Sequence, residues 1–309
     1  MGGKKRRNNN GGSNGSNTNN GNGNKSKSKS KNSGKGKGSD RSSGSSPPDK
    51  VSFPLSLLAE APKPLPSSAD GNFDYDYASY NKMTRKPLSM SEYHHPNVWI
   101  IPNFMTLHEC QNWIAYCEDS SWFEYTQHNA TRYIAQRECY RIQQPDAHCI
   151  AQRLFERLQH SNDGIVSTLQ RRIQTLHRNR EATVMGLNPN IRVYKYTKGH
   201  SFGRHVDGSH AATMVSSSSS PDGVNTTQPQ RSRSGTTAIT VLVYLSECRG
   251  GATRFYDHES SSSFAYEPKI GSMLLHVHGD DYCMEHEAEK VMDGIKYVLR
   301  TDVVFGHVG

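Results

Sequence analysis

Apolar positions along the chain fall into three regimes. Up to about Pro48 the sequence alternates Asn, Gly, Ser and Lys with almost nothing to bury, so it is expected to stay disordered. Between Val98 and Leu176 apolar residues recur mainly at helical spacing, and from Ile191 to Phe305 they alternate with the period of a strand. Val98-Trp99-Ile100-Ile101-Pro102 predicts a short strand ahead of the helices. Thr106 with Glu109 forms a capping box in front of Leu107, Cys110, Trp113, Ile114 and Cys117, which share one helix face. Pro145-Asp146 opens a second helix with Ile150, Leu154, Phe155 and Leu158 on one stripe, and Ile165, Leu169, Ile173 and Leu176 predict a third.

After Leu187-Asn188-Pro189 the period changes to two. Strands are predicted over Ile191 to Tyr196, Thr237 to Leu245, Ala252 to Tyr256, Gly271 to Val277 and Lys296 to Phe305. Their density predicts an antiparallel barrel or jelly roll in a mainly β, α+β chain. The domain organisation expected is a basic low-complexity tail over 1–50 and a Pro-rich, partly ordered linker over 51–97, with Tyr75, Tyr77 and Tyr80 able to dock. A folded domain follows over 98–309. A Ser-rich insertion at about 209–235 is expected to form a mobile surface loop.

Charge changes this picture only at the N-terminus. Of the 37 Lys and Arg in the chain, 12 fall in the first fifty residues against Asp40 and Asp49, which leaves 25 basic and 27 acidic residues for the rest. The basic balance therefore belongs to the tail, which lacks aromatic residues, so any attraction to anionic partners is expected to be nonspecific and salt-sensitive. The longest apolar run, Ala238 to Leu245, falls far short of the roughly 20 residues of a membrane helix. Six cysteines without a CxxC pair, and no apolar signal at the N-terminus, predict an intracellular protein, cytoplasmic or nuclear, with reduced thiols.

Candidate chemistry begins at Gly203-Arg204-His205-Val206-Asp207. On an extended segment His205 and Asp207 face the same side, and with a distant histidine they would make the facial triad of non-haem Fe(II) oxygenases. The candidates for the third ligand are His276 and His278, two apart at the end of a predicted strand, and His286, beyond a turn and ahead of the last one. The last strand presents Lys296, Val298 and Arg300 on one face. A buried cation there is costly unless it meets an anion. A cosubstrate carboxylate would supply one, and surface ion pairs with Asp293 or Asp302 are the competing role for Lys296 and Arg300.

The order of several pieces resembles the prolyl 4-hydroxylase-like branch of the 2-oxoglutarate/Fe(II) oxygenases. They are Pro102-Asn103-Phe104 with Glu109-Cys110, Arg192-Val193-Tyr194-Lys195-Tyr196 running into Gly199 and His205-Val206-Asp207, Thr240 to Leu245 followed by Gly250 to Phe255, and His286 leading to Gly294 to Arg300. The resemblance covers roughly residues 98 to 305. It implies a double-stranded β-helix (jelly-roll/cupin-like) core supported by N-terminal helices, with His205, Asp207 and His286 as iron ligands. It also implies Lys296, ten residues beyond His286, as the partner of the distal carboxylate of 2-oxoglutarate, with Tyr196 assisting, Arg300 as a competing or additional anchor, and Thr240 and Tyr244 lining the pocket. The implied cofactors are Fe(II), 2-oxoglutarate, O2 and ascorbate. The implied reaction is hydroxylation of a C–H bond with formation of succinate and CO2, on a protein or peptide substrate such as a peptidyl proline. Two features depart from the family pattern, His276-Val277-His278 and the long Ser-rich insertion. The rival reading is a non-catalytic β-barrel binding module with a vestigial or structural metal site.

Overall fold

A computed structural model describes residues 51–58, 87–132, 134–161, 163–215, 232–279 and 281–307. The chain divides into two units, 1–48 and 49–309, and everything described belongs to the second. The expected tail, the three linker tyrosines and the central part of the Ser-rich insertion lie outside the described residues.

The three helices form where the apolar period predicts them. Helix α1 (Leu107–Asp119) starts on a complete capping box, in which Thr106 Oγ1 accepts from the Glu109 amide at 3.2 Å and Glu109 accepts from the Thr106 amide at 2.9 Å. Helices α2 (His148–Gln159) and α3 (Ile165–Leu176) bury the stripes read from sequence, Ile150, Leu154 and Leu158 on one and Ile165, Leu169 and Ile173 on the other. Residues 51–58, expected as linker, also add to this core. Phe53 and Leu57 are buried, and the Phe53 ring meets Trp113 edge-on at 4.9 Å. The strand predicted at Val98 starts earlier, because a short strand β1 (Ser91–Tyr93) folds back on β2 (His95–Ile101).

Three further strands precede the region where period two becomes visible: β3 (Glu124–His128), β4 (Arg137–Gln144) and β5 (Ala182–Leu187). Apolar content does not announce the first two, since only Cys139 and Ile142 are buried in β4 and nothing is fully buried in β3. Then come β6 (Ile191–Tyr196), β7 (Phe202–His205), β8 (Ala211–Val215), β9 (Ser232–Tyr244), β11 (Thr253–Asp257), β12 (Ser262–Tyr266), β13 (Met273–Val277), β14 (Glu285–Ala288) and β16 (Lys296–His307). Two short strands, β10 (Arg249–Gly250) and β15 (Val291–Asp293), pair only with each other.

The order of pairing gives the architecture. Strands β6, β9, β13 and β16 lie side by side as β13-β9-β16-β6, and β7, β11, β12 and β14 as β7-β14-β11-β12, with β4 bonded to both β6 and β7. The chain thus passes back and forth between two antiparallel sets, which is the winding of a double-stranded β-helix. Strand β8 pairs with the start of β9, from Ala211 opposite Thr236 to Val215 opposite Ser232. Both ends of the expected loop insertion are therefore strand. Their Ala, Ser and Gly residues dilute the strand signal of Thr213 and Val215, and the backbone partner decides the conformation.

Alternation sorts the side chains of the larger set. Val241 and Val243 of β9, Met273 and Leu275 of β13, and Tyr297 and Leu299 of β16 join the apolar core against the helices. Their neighbours Thr240 and Leu242, His276, and Lys296, Val298 and Arg300 face into the barrel, where they line one cavity.

Candidate metal centre

Strands β7 and β14 are antiparallel neighbours with His205 directly opposite His286, which brings their ring centroids to 4.3 Å. Asp207 lies two residues beyond the end of β7. Its backbone is fixed by the Gly279 amide, which donates to its carbonyl at 2.9 Å, while its own amide points at the Cys283 sulfur at 3.3 Å. The three ligand atoms lie within 4.8 Å of one another. His205 Nε2 is 3.8 Å from one Asp207 oxygen and His286 Nε2 is 3.6 Å from the other.

The ring orientations follow from local hydrogen bonds. His205 Nδ1 sits 2.8 Å from the Gly203 carbonyl and His286 Nδ1 sits 2.9 Å from the Met284 carbonyl. A carbonyl only accepts, so each Nδ1 carries the proton and each Nε2 presents a lone pair to the cavity. Burial keeps the rings neutral. It pulls the His205 pKa down to about 3, with help from neighbouring His286, and lowers His286 as well. Burial alone would raise the Asp207 pKa, but Arg300 and then the surrounding histidines hold it well below the usual carboxylate range. Two neutral imidazoles with free Nε2 atoms and one ionised carboxylate, all buried, fit a divalent first-row metal such as Fe(II).

Lys296 and Arg300 reach the same cavity but have different partners. Arg300 lies 3.0 Å from Asp207 Oδ1 and 3.8 Å from Asp302 Oδ1, so it has two carboxylates. Lys296 is 2 % exposed and donates to the Gly251 carbonyl at 2.6 Å. No carboxylate among the described residues comes within ion-pair distance of it. Burial lowers its pKa to about 8. The Tyr196 and Tyr244 rings flank its ammonium at 5.6 and 5.5 Å from their centroids. Gly251, at φ +70°, leaves the room this needs, since a Cβ there would stand 3.3 Å from Lys296 Cδ and 3.0 Å from the Cys248 sulfur.

Of the three histidines weighed from sequence as the distant ligand, His286 joins His205 and Asp207, while His276, in register with Leu274 on the barrel face, is fully buried beside them. Among the described residues its Nε2 has no hydrogen-bond partner, and it lies 3.7 Å from Asp207 Oδ2. Sequence reasoning missed other groups at the site. Arg137, on the unpredicted strand β4, stacks on Phe202 at 3.6 Å, and Phe202 in turn stacks on His205 at 3.7 Å. A second donor set, His276, Cys283 and His286, shares His286 with the first. It suits a metal less well. Burial pushes the Cys283 thiol up to about 12, and its sulfur faces His286 Nδ1, the nitrogen already bonded to Met284.

Over residues 191–301 the chain matches the 2OG-Fe(II) oxygenase superfamily. The matched stretch opens on β6 and runs through β7, β9, β13 and β14 into β16, so it contains His205, Asp207, His286, Lys296 and Arg300. Similar solved structures include a viral collagen prolyl hydroxylase from Paramecium Bursaria Chlorella virus-1 in its 2OG complex, at 14% identity and TM-score 0.37, covering 67% of this chain and 96% of that one. A Pseudomonas putida prolyl-4-hydroxylase aligns at 12% identity and TM-score 0.38, covering 74% and 97%. A Trichoplax adhaerens prolyl hydroxylase in complex with a hypoxia inducible factor peptide fragment aligns at 16% identity and TM-score 0.40, covering 68% and 84%. No curated protein sequence matches the chain. Among the described residues no helix is long and apolar enough to cross a membrane.

Proposed function

We propose that this 2OG-Fe(II) oxygenase-family chain is a dioxygenase that hydroxylates a C–H bond, with His205, Asp207 and His286 holding Fe(II) and Lys296 receiving the distal carboxylate of 2-oxoglutarate. The single observation that carries the reading is the pair of Nδ1-to-carbonyl bonds, which leave two Nε2 lone pairs facing an ionised buried carboxylate. Bound Fe(II) and O2 would supply the oxidising power, with 2-oxoglutarate, O2 and the substrate C–H going to succinate, CO2 and the hydroxylated product. The chain's own contribution is to orient the ligands, bind the cosubstrate and keep water from a cavity whose walls are largely buried.

The choice of Lys296 over Arg300 as cosubstrate anchor rests on their partners. Arg300 already meets two carboxylates, whereas the ammonium of Lys296 meets only a carbonyl oxygen, and a buried cation in that state gains most from an incoming anion. Tyr196 supports this role through its ring face. Ascorbate as reductant, a protein or peptide substrate with peptidyl proline foremost, and an intracellular site of action belong to the same reading and rest on the motif resemblance. The basic tail would add salt-sensitive contacts to anionic partners.

The test is succinate formation by the purified chain under air with Fe(II), ascorbate and 2-oxoglutarate, with a panel of proline-containing peptides added in turn. Succinate that requires both Fe(II) and residues His205, Asp207 and His286 supports the enzyme. A wild-type chain that binds neither metal nor 2-oxoglutarate would instead make the barrel a binding module.

A further inference from the structure

The metal-facing carboxylate is held from behind by a line of buried polar side chains that the proposed chemistry does not use. Thr240 Oγ1 lies 2.8 Å from Asp207 Oδ2 and 2.8 Å from His278 Nδ1, and His278 Nε2 lies 3.0 Å from Thr237 Oγ1. The amide of His210 donates to that same Thr237 oxygen at 2.9 Å. All three side chains are buried, Thr237, Thr240 and His278 each exposing 1 % or less.

For a neutral His278 ring, proton counting gives each bond in this line one direction. A carboxylate accepts only, and Thr240 has one hydroxyl hydrogen, which it gives to Asp207 Oδ2. Its oxygen must then accept at the His278 contact, so His278 carries its proton on Nδ1. In the neutral ring Nε2 is an acceptor, and Thr237, whose oxygen already receives the His210 amide, gives it its own hydrogen. Burial, the largest influence on His278, favours the neutral ring. Each donor thus points toward Asp207, and such chains polarise one another. Arg300 takes the opposite oxygen of the carboxylate at 3.0 Å. With Oδ1 and Oδ2 both engaged, Asp207 has one orientation.

We infer that His278 is a positioning residue for the metal centre, which acts through Thr240 to orient Asp207 as a ligand. This rests on the metal-binding reading above. A core histidine satisfied by two threonines would need only that its ring nitrogens be bonded. The distinguishing feature is that the line ends on Oδ2, the oxygen that faces His286 Nε2. Outer partners of metal ligands typically contribute about 10- to 100-fold to metal affinity.

The experiment measures Co(II) affinity and the visible d–d spectrum of the full chain for wild type, His278→Leu, Thr240→Val, the double variant, Thr240→Ser and Thr237→Val, with far-UV circular dichroism as the folding check. The expected result is that His278→Leu and Thr240→Val each weaken Co(II) binding about 10-fold and alter the spectrum. The double variant should be no weaker than Thr240→Val alone, because both cut one line. Thr240→Ser, which keeps the hydroxyl, should restore affinity to within about twofold, and Thr237→Val should show a smaller loss than His278→Leu. If Thr240→Val does not fold, the nearly isosteric Thr237→Val together with His278→Leu decides. Folded His278→Leu and Thr237→Val chains with wild-type affinity and spectrum would overturn the role of His278 while leaving the metal centre standing. A wild-type chain that binds no Co(II) would instead overturn the metal reading, and this inference with it.

Discussion

The two faces of the larger strand set share one backbone and carry opposite chemistry. On the helix side the fully buried side chains of Val241, Val243, Leu275 and Leu299 carry no polar atom, and they share one apolar core with Trp113, Leu154 and Ile173, where the Trp113 indole N–H is the exception that finds no partner among the described residues. On the barrel side the alternate positions hold Thr240, His276, Lys296 and Arg300 beside the apolar Leu242 and Val298, and among the described residues two buried atoms there, His276 Nε2 and Arg300 Nε, have no hydrogen-bond partner. Burial stabilises the first face by the hydrophobic effect, whereas on the second it penalises the polar and charged groups it covers. A fold that retains such a face must gain its stability from the other, so the helix side serves stability and the barrel side carries the proposed site.

Substitutions on the two faces should therefore fail in different ways. The largest expected effect is His205→Ala, which removes a proposed ligand and should bring succinate formation to background while the thermal midpoint moves little. Trp113→Ala should do the reverse, lowering stability by about 3–5 kcal/mol through a cavity in the core, with the turnover of the remaining folded enzyme unchanged. Calorimetry and succinate assays on both variants check the contrast, and a ligand substitution that unfolded the chain would break it.

Lys296 and Arg300 sharpen the comparison within the barrel face. Lys296→Met removes a buried cation that has no anionic partner among the described residues, so the apo protein should be as stable as wild type or more so, while KM for 2-oxoglutarate rises about 100-fold through the loss of a charge-assisted contact of about 3 kcal/mol. Arg300→Met leaves Asp207 and Asp302 without their buried cation and should cost about 3–5 kcal/mol of stability. Should Arg300→Met alone raise the KM for 2-oxoglutarate, the anchor assignment reverses.

The same lysine gives a pH dependence of known sign. Its pKa is lowered from the ordinary 10.5 to about 8 in the folded chain, so between about pH 8 and pH 10.5 the unfolded state binds more protons than the folded one. Apo stability should therefore gain a rising contribution across that window. In the proposed anchoring role cosubstrate capture would need the charged ammonium, so kcat/KM for 2-oxoglutarate should fall above about pH 8, and this fall should vanish in Lys296→Met. Denaturant titrations and initial rates at pH 7, 8 and 9 would show both trends.

Much of this contrast is legible along the chain, and the rest is hidden for a physical reason. The period-two runs in β6, β9, β13 and β16, the three helix stripes, and the spacing of His205 and Asp207 are local patterns that survive in one dimension. Strands β3 and β4 do not show, because Glu124–His128 and Arg137–Gln144 are polar segments whose conformation is set by pairing with each other and with β6. Arg137 stays hidden for the same reason, and although His276, His278 and Thr240 stand out as residues, the contacts that join Thr237, His278 and Thr240 to Asp207 do not, since they link positions tens of residues apart. Phe53 and Leu57 sit in a segment whose proline content reads as linker, and only their packing on Trp113 and its neighbours makes them core.

The smallest expected effect lies at the capping box, far from the barrel. Thr106 Oγ1 accepts one otherwise orphaned amide of α1, and Thr106→Ala should cost about 1 kcal/mol. Glu109 does more, because its buried carboxylate also meets the Arg157 guanidinium on α2 and so ties two helices together. Glu109→Ala would leave that cation without this partner and should cost more than Thr106→Ala. Both variants should lower the urea midpoint and leave the KM for 2-oxoglutarate untouched. If Thr106→Ala shifted that KM, the helix layer would be coupled to the site, and the separation of the two faces would fail.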